Sequence, residues 1–199
     1  MTTWFRHHPV VGGAAAGLAW GLAMRGWMRF ISTHPEFTWA GTGFIVGSSA
    51  IVGAMLGLAF LRREAGGRGW WRLSGLSVLL LGVGAGGVMI PSVLLGAIAF
   101  GRTRWAPAVR ALFAVLAVAV QATFFLEAEE RLPPARAFPA LVAYAGLITF
   151  EAWAVSIVFR PSSEGAPAPG RAATVVLSGT LTLLAAAVGI VTGLLPLPS

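Results

Sequence analysis

Six apolar runs joined by short polar connections take up most of this chain: Val10–Ile31, Trp39–Leu61, Leu73–Phe100, Ala111–Leu126, Phe138–Phe159 and Ala172–Leu195. A helix rises about 1.5 Å per residue, so about 20 apolar residues cover the ~30 Å hydrocarbon core of a bilayer. The fourth run is the shortest, and it reaches that length when extended back to Ala106. The pattern predicts an all-α, polytopic transmembrane helical bundle of about six helices. It forms a single integral membrane domain over residues 1–199, with 160–171 expected to be a mobile loop because it is rich in Pro, Ser, Gly and Ala.

Composition supports that class and removes several chemistries. Hydrophobic residues make up 57% of the chain and charged residues 11%, against about 25% charged in an ordinary soluble domain. A soluble core of this size cannot absorb so much apolar surface. The net charge is +7, and all 14 basic residues are Arg. On such a chain a basic surface meets anionic lipid headgroups, and no pattern for RNA or DNA accompanies it. There is no Lys, Asp, Asn or Cys. Schiff-base, thiolate, disulfide and iron–sulfur chemistry are therefore excluded, and no cofactor is expected. The first run has the outline of a secretory signal, with Arg6 before it and Gly21-Leu22-Ala23 as a small-residue site. Its apolar stretch continues past that point, so a retained first helix is the expectation.

Short loops make consecutive helices antiparallel neighbours. Six simple crossings put Arg6, Arg62, Arg63, Arg68, Arg72, Arg131 and Arg136 on one side, with Arg25, Arg29, Arg102, Arg104, Arg110, Arg160 and Arg171 on the other. That even split conflicts with the usual asymmetry of basic residues. The third run offers an alternative, because Gly82-Val83-Gly84-Ala85-Gly86-Gly87 interrupts it shortly before Pro91. If it dips in and returns, only Arg25, Arg29, Arg131 and Arg136 remain on the minority side. The preferred reading is nonetheless a single tilted helix kinked at Pro91, because re-entrant segments are rare. No internal repeat is visible, which leaves an inverted-repeat transporter without support.

The first run carries the sharpest spacing. Gly13, Gly17, Gly21, Arg25 and Arg29 follow at four-residue intervals and wind slowly around one face. Small-xxx-small glycines let a second helix approach closely, and the stripe aims Arg25 into the same interface, unless it snorkels to the headgroups as Arg29 is expected to do. Similar pairs recur at Gly43/Gly47, Gly53/Gly57, Gly82/Gly86 and Gly189/Gly193.

Glu151 is the acidic residue set deep inside a run. A carboxylate there needs a partner or a proton, which makes it a functional candidate. Tyr144, two turns earlier on the same face, and Gln121 in the fourth run complete a set of candidate buried polar, ligand or coupling residues with Arg25. With six crossings, Arg25 and Glu151 lie at similar depths, and an ion pair between them is expected. His7 and His8 are adjacent and His34 lies across the membrane from them. No metal-binding spacing appears, and neither a metal site nor a catalytic group is assigned.

The segment from Arg25 to Ser32, continuing from Pro35 to Thr42, resembles uncharacterised multi-spanning membrane proteins of GC-rich, actinobacterial genomes. The resemblance covers about the first quarter of the chain and implies no activity. It suggests one structural unit at the end of the first helix, the first loop and the start of the second. There Trp27, Arg29, His34, Glu36 and Trp39 form a candidate face for an anionic headgroup or a partner. The leading expectation is a non-enzymatic, multi-pass protein of the cell membrane that binds or passes a small solute or ion. The alternatives are an accessory or lipid-binding subunit of a larger membrane complex, or a second copy of the chain as partner, and a lipid-modifying enzyme using His34 as base.

Overall fold

A computed structural model describes residues 8–32, 37–66, 69–129 and 134–161. Within these the chain is all-helical, without strands. It comprises α1 (Pro9–Ile31), α2 (Trp39–Glu64), two 3₁₀ segments (Trp70–Gly82 and Gly84–Met89), α3 (Ile90–Gly101), α4 (Pro107–Glu129), α5 (Pro134–Val155) and a final 3₁₀ turn (Ser156–Phe159). The sixth apolar run and nearly all of 160–171 lie outside the described residues. Among those described, two helices, Trp39–Glu64 and Ala137–Phe159, are long and apolar enough to cross a bilayer. Gly87–Gly101 and Pro107–Thr123 are apolar but shorter.

Local sequence explains the boundaries. Pro9 opens α1 at a position where its missing N–H costs nothing. Thr38 caps α2, its Oγ1 accepting from the Gly41 N–H at 3.2 Å. At the other end of α2, Gly66 and Gly69 adopt φ of 69° and 63°. This left-handed backbone is open to glycine at little cost, and it turns the chain into the first 3₁₀ segment.

The tightest packing is between α1 and α2, which run antiparallel with their backbones in contact. A Cβ built on Gly13 would overlap the Gly53 carbonyl oxygen, one on Gly17 the Ser49 carbonyl, and one on Gly57 the Pro9 carbonyl. Gly21 is slightly looser, its Cβ position 2.8 Å from Ser49 Oγ. Four-residue spacing in a regular helix keeps these hydrogens on one face, and only hydrogen fits between the two backbones.

The third run departs from the expected single kinked helix. It is broken at Val83, whose φ of −69° and ψ of 123° are extended, and its two halves return to the same place. Val158 methyl carbons lie 3.1 Å from a Cβ position on Gly75, near the start of the run. Ser156 O and Phe159 Cβ lie 2.6 Å from that on Gly101, at its end. The run thus enters and leaves beside the same 3₁₀ turn. The cause is the clustered glycine around Val83, which removes helix propensity over a whole turn.

That reversal also turns α5 around. Trp20 Nε1 donates to the Leu147 carbonyl at 3.0 Å, and Trp27 Nε1 to the Ala140 carbonyl at 2.9 Å. Rising numbers on α1 meet falling numbers on α5, so these two helices are antiparallel rather than codirectional. The core they share with α2 and α3 includes Met24, Val52, Val93 and Val155, none more than 4% exposed.

Candidate functional site

Glu151 stands where α5 faces α1, α2 and the end of the first 3₁₀ segment. It is 7% exposed, and its Oε2 is buried without a hydrogen-bond partner among the described residues. The reason lies in its neighbours. Ser48 and Ser49 both turn their hydroxyls onto the Ile45 carbonyl, at 3.1 and 2.6 Å, as serines inside helices commonly do. Their protons are therefore committed to their own helix, leaving only lone pairs toward the carboxyl.

Two cavities meet at this residue. One, of about 360 Å³, runs along the α1–α2 glycine seam and is bounded by Trp20, Phe60, Leu81, Phe150 and Trp153 as well as Glu151. The other, of about 210 Å³, lies toward the opposite end and is bounded by Met24, Ile45, Ser48, Leu80, Met89 and again Glu151. Trp20, Ser49, Leu81 and Glu151 border both. Among the described residues no other charged side chain lines either one. The arrangement is a single carboxyl group in an apolar chamber, able to hold a cation or a proton.

The expected pairing of Arg25 with Glu151 is not found. With α5 reversed, Glu151 is level with about residue 16 of α1, some 14 Å along the axis from Arg25. Arg25 instead donates through Nε to Thr42 Oγ1 at 3.1 Å, tying the end of α1 to the start of α2.

Gln121 and Tyr144 do meet, the Gln121 Nε2 donating to the Tyr144 hydroxyl. Tyr144 also stacks on Trp27, with ring centroids 4.4 Å apart. A third cavity of about 230 Å³ borders them, with Ser92 on its wall. Ser92 Oγ and Gln121 Oε1 are buried there without partners among the described residues.

Trp27 therefore packs inward on α5, apart from the proposed headgroup face. Arg29 lies over the Phe37 ring, 5.3 Å from its centroid, and Phe37 meets Trp39 edge-on at 4.8 Å. Trp39 is 81% exposed. His7, His34 and Glu36 lie outside the described residues, so the base invoked for a lipid-modifying enzyme carries no geometry. Among the described residues no group of three His or Glu side chains could hold a metal.

The opposite end is basic. Arg63 donates to the Pro161 carbonyl at 2.8 Å and pairs with Glu64 at 2.9 Å. Arg160 donates to Ser156 Oγ at 3.2 Å, and Arg110 to the Ala99 carbonyl at 2.9 Å. Partial burial, and then the nearby Arg63 charge, hold the Arg160 guanidinium below its usual pKa.

Sequence reasoning singled out Glu151 but missed Trp20, Ser49 and Leu81, which close the chamber around it. Ser49 and Gly53 share the four-residue spacing of Gly13 and Gly17, and that was the available signal. Leu81 had none, because its place depends on the break at Val83.

Comparison with known proteins finds no matching family model, no matching curated protein and no matching solved structure.

Proposed function

We propose that this chain is a multi-pass protein of the bacterial cell membrane that binds a small solute or ion at Glu151 and passes it between the two cavities meeting there. The observation that carries this reading is the buried Glu151 oxygen at their junction, which has no partner among the described residues. A soluble fold rarely tolerates such a group, and inside a membrane it marks a ligand or ion path by default. Several features support a lipid setting. α4 exposes Leu112, Val115, Leu116 and Val118, and α5 exposes Leu141, Val142, Phe150 and Trp153. Glycines at GxxxG spacing form the α1–α2 contact, as in membrane helix pairs. With the third run re-entrant, Arg62, Arg63, Arg72, Arg102, Arg104, Arg110 and Arg160 share one end, which then faces the cytoplasm.

The test is a plug. Leu81 borders both cavities, so Leu81→Trp fills their junction without touching the carboxyl. Solutes that raise the melting temperature of the purified chain in lipid nanodiscs are expected to lose that effect in the variant. A stabilising solute indifferent to the plug does not use this chamber. The exposed α4 face favours a second reading, an accessory subunit docked through α4. It predicts a membrane partner that co-purifies with the chain and is released by Val115→Arg.

A further inference from the structure

Three features of the Glu151 chamber restrict what it accepts. Its charge is a single carboxyl, with no counter-charge among the lining residues described. Its side-chain oxygens are few: among the described residues, beyond Glu151 and the lone pairs of Ser48 and Ser49, side chains lining the two cavities are apolar. A hard inorganic cation needs about six oxygen ligands, and this set falls well short. Its walls are aromatic, with Trp20, Phe60, Phe150 and Trp153 around the larger cavity. Aromatic faces attract diffuse organic cations, and more strongly where water is excluded. The volume of about 360 Å³ falls at the lower end of the range that holds drug-sized molecules.

The route in is lateral. Phe150 and Trp153 belong to the cavity wall yet are 42% and 54% exposed, so among the described residues the mouth opens on the flank between α1 and α5. An amphiphile already dissolved in the bilayer reaches that mouth without crossing the polar ends.

We propose that the Glu151 chamber binds a hydrophobic monovalent organic cation, an alkyl- or aryl-substituted ammonium or phosphonium, which enters sideways between α1 and α5 and displaces a proton from the Glu151 carboxyl. This rests on the solute-binding reading above and names the solute class. The exchange balances: one cation arrives and one proton leaves, so the chamber stays neutral in both states. A carboxyl in an apolar cavity is costly when ionised and unpaired, which makes proton and cation alternatives to one another. Among the described residues Tyr144 is the titratable group that feels the Glu151 charge. α1 presents Gly17 and Trp20 to Glu151, α2 presents Ser48 and Ser49, and the 3₁₀ segment presents Leu80 and Leu81. On α5 itself, Tyr144 stands two turns away with its hydroxyl engaged by Gln121.

The experiment uses the full chain in nanodiscs, with tetraphenylphosphonium as the cationic probe and triphenylphosphine oxide as its neutral counterpart. Equilibrium dialysis measures both, and a pH-sensitive dye follows proton release. The cation is expected to bind more weakly as pH falls and to release one proton per molecule bound, which requires no variant. Glu151→Gln should weaken cation binding by about 100-fold, as expected when one partner of a buried charge pair is lost, and leave the neutral probe unchanged. Binding without proton release, or equal cation binding by Glu151→Gln, overturns the cation assignment. In that case loss of the neutral probe in Leu81→Trp would still uphold the solute-binding reading. If Leu81→Trp alters neither probe, both proposals fall together.

Discussion

The α1–α2 seam and the segment from Trp70 to Gly101 are both rich in glycine, yet the residue acts in opposite ways in them. In the seam, Gly13, Gly17 and Gly21 are one helical turn apart, and the helix persists because the intervening residues keep it. The glycines then remove side chains from a single face, and the backbones of α1 and α2 touch. In the other segment Gly82, Gly84, Gly86 and Gly87 fall within one and a half turns and the helix gives way. What matters is spacing relative to the 3.6-residue period, not glycine content.

The largest expected effect strikes the seam. Gly17→Leu places a side chain where the Ser49 carbonyl already stands. It should cost about 3 kcal/mol or more, at or beyond the upper end for overpacking, and appear as a lower melting temperature in detergent. Unchanged stability would show that the seam is not closed. The next prediction concerns the break. Single cysteines at Gly66 and Ala106 should react with an impermeant thiol reagent from the same side, because both ends of the third run meet the turn at 156–159. Replacing Gly82, Gly84, Gly86 and Gly87 together by Ala adds about 3–4 kcal/mol of helix propensity. The label at Ala106 should then move to the opposite side. If it stays, glycine is not what breaks the run.

Two smaller effects sharpen the contrast. Trp27→Phe keeps a ring against Tyr144 but loses the bond to the Ala140 carbonyl. A loss of about 1 kcal/mol, measured by denaturation, is expected. Gly26 lies on α1 just past the seam, and a Cβ there meets nothing within 4 Å among the described residues. Gly26→Ala should therefore be neutral or stabilise by up to about 1 kcal/mol through helix propensity. A clear destabilisation would mean that the Gly26 face of α1 is packed rather than open.

Much of the architecture could be read without coordinates. Apolar run lengths anticipated α1, α2, α4 and α5 to within a few residues, because helix length and capping are local properties. Four-residue glycine spacing marked the face of α1 that meets α2. The even distribution of Arg under six simple crossings pointed to the third run as the exception, and that run is the one broken at Val83. A single kinked helix is the commoner structure for such a run, but four glycines within six residues remove the propensity it needs. The reversal of α5 follows from that one break, and with it the separation of Arg25 from Glu151.

The sequence by itself determined that this chain is helical, that α1 offers a bare face, and that Glu151 is buried with few polar residues to serve it. These follow from periodicity, side-chain size and the rarity of charge, all of which act over a turn or two of helix. Only the tertiary structure decided which residues surround Glu151. Trp20, Ser49 and Leu81 come from three separate segments, and they converge because the chain turns back at Val83. A run of glycines weakens a helix locally, but where the chain then goes is set by packing between distant segments, Gly75 on Val158 and Gly101 on Ser156. Such contacts are non-local, and no local pattern records them.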